Sequence, residues 1–183
     1  IGNEQESYRS LSSSNIERKT LMDIYIEPFY RAIKDAHVAS VMCGYNAVNN
    51  TYNCENEFLL NDILRGILNF KGFVMTDWWL IRNNSTKPFN SGLEVNMPGG
   101  YGYGRQNMGR DKSYWSGFET FVKDGEISEE RINEAATRII ASMFQLNQME
   151  NYPKVNITYN TITDEKIALQ RKAATESQVL LKN

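Results

Sequence analysis

Two short apolar runs, Val38 to Cys43 and Phe73 to Thr76, flank a segment in which Leu60, Ile63, Leu64, Ile67 and Leu68 recur at three and four residues. That spacing predicts an amphipathic helix between two strands, with Lys71-Gly72 as its stop signal. No hairpin signal joins the strands, so the order strand, helix, strand points to parallel βα units and an α/β fold. Leu93 to Val95 reads as a further short strand. Three strands are too few for a parallel sheet buried on both faces, whereas a closed eight-fold βα barrel takes about 250 residues. With 183 residues, the chain is expected to be the C-terminal half of a (β/α)8 TIM-like barrel.

Other segments fit that frame. Asn15 to Ile26 suits one or two helical turns, Pro28 interrupts the pattern, and a second helix is predicted from Pro28 to about Ala36. A polar loop is expected through Asn46 to Glu55. Tyr114 to Val122 reads as a helix closed by Gly125. Ser128 then caps a longer one with the stripe Ile132, Ala135, Ala136, Ile139, Ile140, Met143 and Leu146. Asn151 to Asn160 reads as an extended linker, and Thr163 as the cap of a last helix over Ile167 to Ala174. The start at Ile1 and the apolar run Val179-Leu180-Leu181 at the end lead us to expect a piece of a longer chain.

Composition excludes several functions. Apolar residues make up 41% and charged residues 23%, and the net charge is -2 without long runs of one sign. Nucleic acid and membrane surfaces therefore have no electrostatic support as partners. One histidine, His37, and two cysteines cannot build a multi-histidine or four-thiolate metal site, so no metal and no cofactor are expected. Sequons start at Asn49, Asn83, Asn84 and Asn156 and favour a secreted, extracellular protein. Trp115, Phe118 and Phe121, at helical spacing, read as core, and the glycine-rich stretch Gly99 to Arg105 as a surface loop.

In parallel βα architectures functional residues gather where strands end and loops begin. Met42, Cys43, Gly44, Tyr45 and Asn46 end one strand; Thr76, Asp77 and Trp78 end the next. A carboxylate in such a place caps a helix, pairs with a cation or takes part in chemistry, because burying it unpaired is costly. A purely structural Asp77 is the alternative.

Six motifs in order carry a resemblance. They are Asn3-Glu4-Gln5-Glu6, Ser40 to Asn46, Cys54-Glu55-Asn56, Gly72 to Trp78, Gly92-Leu93-Glu94 with Met97-Pro98-Gly99, and Ala173-Ala174 through Asn183. The sequence resembles the secreted, fungal-type β-glucosidases of glycoside hydrolase family 3 along its whole length. The resemblance implies a retaining glycosidase whose barrel is followed by an α/β sandwich domain. Residues 1–150 would be barrel, and 151–183 the linker and the beginning of the sandwich. In this chemistry one carboxylate attacks the anomeric carbon and a second, about 5 to 5.5 Å away, protonates the leaving oxygen. Asp77 matches the family's nucleophile, Tyr45 the tyrosine lying against it, Met42 a residue lining the glucose pocket, and Trp78 the aromatic at the wall towards the aglycone.

Thr76 stands where the family usually has Ser, Gly44 replaces a common Ser, Trp79 a small residue, and Glu94 the usual Asp, which is expected to alter the pocket rim. A Lys-His pair before Ile1 and the acid/base Glu after Asn183 would complete the site, so the isolated chain is expected to be inactive. The implied substrates are terminal β-D-glucosyl groups of cello-oligosaccharides or aryl and alkyl glucosides. A β-xylosidase of the family usually has Cys after the nucleophile, so Trp78 favours glucose. Outside the enzyme class, the alternative is a non-catalytic sugar-binding module using Tyr and Trp rings.

Cys43 and Cys54 are expected to form a disulfide. They are the only cysteines, both belong to the loop region after one strand, and the sequons point to an oxidising compartment. Two reduced, buried thiols are the alternative.

Overall fold

The computed structural model describes residues 1–2, 6–81, 86–99, 118–150 and 161–182. They fall into two compact units, Ile1–Met149 and Glu150–Asn183. The first contains strands β1 (Ser13–Ser14), β2 (Ser40–Cys43), β3 (Ala47–Val48), β4 (Thr51–Tyr52) and β5 (Phe73–Thr76). Its helices are α1 (residues 18–34), α2 (Phe58–Ile67), α3 (Lys87–Asn90), α4 (Phe118–Lys123) and α5 (Glu129–Gln145).

Strands β2 and β5 pair in parallel, with Ser40 beside Phe73 and Cys43 beside Thr76. Val95 adds a third parallel position through a bridge to Met75. The parallel order expected from the sequence is therefore present. Side chains alternate between faces along a strand. Val41, Cys43, Val74 and Thr76 share one face, on which Val74 is fully buried beneath the helices. Met42 and Met75 share the other, where Met42 stays 55% exposed.

Helix α2 buries Leu59, Leu60, Ile63 and Leu64 against the sheet, while Ile67 lies outside. It ends at Leu68, before the expected Lys71-Gly72, because Asn69 turns the backbone left-handed (φ 56°), a conformation Asn tolerates. Gly72 has a different use. A Cβ there would lie 2.0 Å from the Ala39 carbonyl oxygen, so only glycine lets β5 start so close to the segment leading into β2.

Pro28 does not break the first helix. Arg18–Thr20, Leu21–Ile26 and Glu27–Lys34 run on as α1, and Leu21–Ile26 forms wide, π-type turns just before the proline. Wide turns take up the bond that a proline nitrogen cannot donate and draw the preceding turn away from its ring.

Residues 47–52 are a hairpin rather than a plain loop. Strands β3 and β4 pair antiparallel across Asn49-Asn50, both left-handed at φ 49° and 68°. Two residues of positive φ make the tight turn whose twist suits a hairpin. Strand β1 pairs in parallel with β3. The Asn49 amide also bridges Ile16, accepting from its N–H at 2.8 Å and donating to its carbonyl at 3.1 Å.

Helix α5 begins as expected, with the Arg131 N–H donating to the Ser128 hydroxyl at 3.1 Å. Its inward stripe is offset from the expected one. Ala135 and Ser142 are buried, Arg131 and Arg138 are largely covered, and Ile140 and Leu146 are exposed. Phe89, Ile127 and Ala135 form a second small core with Phe118 and Phe121 packed on it, and the Phe89 and Phe118 rings meet edge to face at 4.8 Å. Trp115, the start of the helix expected from Tyr114, Gly100 to Arg105, and the linker 151–160 lie outside the described residues.

In the second unit, Thr163 caps α6 (Asp164–Glu176) by accepting from the Lys166 N–H at 3.3 Å. Val179, Leu180 and Leu181 beyond it are exposed. No described helix is long and apolar enough to cross a membrane.

Candidate active site

Asp77 follows β5 directly, and two residues earlier Met75 lies beside Met42 on the face that the helices leave open. Alternation continues that face to Asp77, so the carboxylate stands at the carboxyl end of the strand with Met42 and Met75 beneath it. Its backbone is held from the neighbouring strand end. The Asp77 N–H donates to the Cys43 carbonyl at 3.3 Å, and the Tyr45 hydroxyl donates to the Trp78 carbonyl at 2.6 Å. The Trp78 N–H donates to Asp77 Oδ1 at 2.6 Å, which sets the side-chain rotamer.

The Tyr45 phenol thus engages the backbone one residue past Asp77. A hydroxyl at the end of a rigid ring reaches the carbonyl that the strand end presents, and so holds the main chain next to Asp77. Tyr45 is buried, and the Arg9 guanidinium lies over its ring at 4.5 Å, a cation–π arrangement. No periodicity marked Arg9 beforehand.

Below Asp77, Thr76 ties β5 to the next segment. Its hydroxyl accepts from the Met97 N–H at 2.8 Å, and its own N–H donates to the Val95 carbonyl at 2.9 Å. Beyond Asp77 the Trp78 and Trp79 side chains are 45% and 43% exposed. Trp79 adopts a left-handed backbone (φ 55°), anchored by its N–H to the Met97 carbonyl at 2.9 Å.

Cys43 and Cys54 are joined in a disulfide with Cα atoms 5.4 Å apart, within the usual range. The bridge closes the base of the β3–β4 hairpin. Asn46 and Asn53 reinforce it from inside, with the Asn53 amide donating to Asn46 Oδ1 at 2.9 Å and the Asn46 amide donating to the Ile1 carbonyl at 3.0 Å.

Glu94 is not at the rim of the open face. It lies on the helix-facing side, where its fully buried carboxylate accepts from the Val74 N–H at 2.7 Å. Arg65 and Arg131 each reach it at 3.0 Å and Arg138 at 2.6 Å. A residue next to Val95 must alternate to the opposite face from it, and that sends Glu94 away from Asp77. Burial pushes the Arg65 guanidinium down to about 10, and desolvation likewise lowers Arg131, with Glu94 opposing the shift in both. Sequence reasoning missed this cluster, although Arg131 and Arg138, two turns apart and flanking the stripe of α5, were its available signal. No described group of three or more His, Cys, Asp or Glu side chains could hold a metal ion.

A family model described as the Glycosyl hydrolase family 3 N terminal domain matches residues 2–142. The chain belongs to glycosyl hydrolase family 3. Probable beta-glucosidase L of Emericella nidulans is 37% identical over 190 residues, covering 99% of the chain and 25% of that protein. Beta-glucosidase cel3A of Pyricularia oryzae is 35% identical, covering 99% of the chain and 24% of that protein. The solved structure of beta-glucosidase D2-BGL from Chaetomella raphigera superposes with a TM-score of 0.79 at 37% identity, over 100% of the chain and 26% of its own. This family 3 chain therefore spans about a quarter of the length of the relatives it matches. The family is one of glycosidases, which supports an enzyme over a binding module.

Proposed function

We propose that the chain is part of a retaining β-glucosidase in which Asp77 is the nucleophile. The observation that carries this reading is the carboxylate at the carboxyl end of β5, on the open face with Met42 and Met75, its backbone held from Cys43 and Tyr45. A nucleophile must stand within about 3 to 3.5 Å of the anomeric carbon in a near-attack pose, and a short, doubly held strand end limits its drift. Met42 and Trp78 border the same opening and are assigned to the glucose pocket and to the aglycone side. Tyr45 and Cys43 position the strand end.

Double displacement on terminal β-D-glucosyl groups of cello-oligosaccharides or aryl glucosides follows from this reading, together with the relatives' names. Residues 1–150 then form the C-terminal half of the barrel, 151–183 lead into the sandwich domain, and the parent protein is secreted. The acid/base Glu belongs to that later domain, so turnover needs the longer protein. Treating that protein with an activated 2-deoxy-2-fluoroglucoside and mapping the labelled peptide tests the assignment. The label is expected on Asp77, and a label on any other residue removes it.

A further inference from the structure

The backbone on both sides of Asp77 is held by one short turn, Cys43 to Tyr45. The Cys43 carbonyl accepts the Asp77 N–H, and the Tyr45 hydroxyl donates to the Trp78 carbonyl. What fixes this turn lies on its far side. Cys43 is bonded to Cys54, the Asn53 N–H donates to the Asn46 carbonyl at 3.1 Å, and the Asn53 side chain donates to Asn46 Oδ1 at 2.9 Å. Between these points the chain leaves and returns as the Asn49-Asn50 hairpin.

We propose that the Cys43–Cys54 disulfide is a positioning device for the Asp77 carboxylate, beyond its role in closing the hairpin. It rests on the reading of Asp77 as nucleophile. Both sulfurs are buried, so the bridge is not placed to exchange with solvent thiols, and its leverage is mechanical. Cys43 lies in register with Thr76, at the last paired position before Asp77. A tether there holds the Cys43 carbonyl still at the point where ladder bonding gives way to loop, the place where a strand end otherwise frays. The Asn46 and Asn53 bonds lie beyond Cys43, and the disulfide is the tether at Cys43 itself. Displacing a reacting group by about 1 Å costs on the order of a hundred-fold in rate, so a partial shift is felt in the chemical step well before it is felt in sugar binding.

The test uses the full-length parent enzyme. Fluoroglucoside labelling of the unaltered protein comes first: a label away from Asp77 refutes the nucleophile reading itself, before any variant is made. With Asp77 labelled, the Cys43→Ala/Cys54→Ala variant is compared for its rate of fluoroglucoside trapping and for its inhibition constant with glucose. Trapping is expected to slow by about ten-fold while glucose inhibition stays within about two-fold. Unchanged trapping with a lowered melting temperature, or equal losses in trapping and glucose binding, makes the bridge a stability element only and overturns the proposal. Should that variant fail to fold, Cys43→Ser/Cys54→Ser, which breaks the same bond while keeping side-chain size, decides. Trapping within two-fold of the parent overturns the proposal, whereas slowed trapping with glucose inhibition retained supports it.

Discussion

Two carboxylates meet β5 from opposite ends and opposite faces. Glu94 has no exposed side-chain surface and is surrounded by three guanidiniums and the Val74 N–H, whereas Asp77 is half-buried and accepts one backbone N–H, that of Trp78. A charge taken out of water must be matched by donors, so Glu94 has its oxygens occupied. Such a group holds a structure together and has nothing left with which to attack. Asp77 keeps lone pairs available because one backbone N–H engages its Oδ1, whereas guanidiniums crowd the oxygens of Glu94. On the proposed reading, packing fixes where the nucleophile stands and leaves its oxygens available.

The sharpest way to break this contrast is to neutralise each carboxylate in the parent enzyme. Asp77→Asn keeps the shape and removes the proposed nucleophile. It is expected to lower kcat/KM by about a thousand-fold or more, with unfolding stability changed by about 1 kcal/mol or less. Steady-state kinetics and urea melts read the two halves, and a variant with near-normal turnover would sink the assignment. Glu94→Gln is the mirror case. It removes the buried counter-charge shared by three guanidiniums, leaving Arg131 and Arg138 only the exposed Glu134 and Arg65 no ion pair among the described residues. Stability is expected to fall by about 3 to 5 kcal/mol, seen as a lower urea midpoint. The folded fraction of that variant should still label with the fluoroglucoside; loss of labelling in folded protein would show that the two carboxylates are not separate devices.

Smaller effects sharpen the comparison. Arg9→Met removes the cation over the Tyr45 ring and is expected to cost about 1 kcal/mol or less, because Arg9 is partly exposed. A melting shift of ten degrees would show that Arg9 supports far more than one ring. The last prediction is a null slope. Arg65 is lowered to about 10 in the fold, so the unfolded chain holds that proton more tightly. The cost of burying the charge is therefore fully present below about pH 10, and stability is regained only as pH rises past that value. Between about pH 6 and pH 9 the stability difference between Arg65→Met and the parent should stay flat, within about 0.3 kcal/mol, by chemical denaturation. A steady slope there would mean that Arg65 changes charge near neutrality.

Elements built on repeating local preference were readable from the sequence. The apolar spacing of α2, the serine cap of α5, the threonine cap of α6 and the two strands each needed only near neighbours. What escaped depended on distant partners or on backbone conformations that residue type only permits. Asn49-Asn50 could be loop or hairpin until β1 and β4 paired on either side of β3. Pro28 could stop a helix or sit in one, depending on whether the turns before it widen. In the site, the position of Asp77 was visible as a carboxylate following an apolar strand. The Arg9 contact with Tyr45 spans thirty-six residues and the Arg138 bond to Glu94 forty-four, distances over which no periodicity speaks.

Trp79 gives the open face a vulnerability of its own. A bulky side chain held at φ 55° pays about 1 to 2 kcal/mol that glycine would not. Robustness and the shape of the opening are thus set against each other within two residues of Asp77. A selection for heat resistance alone has a ready gain in Trp79→Gly, and every such gain removes a half-exposed indole two residues past Asp77.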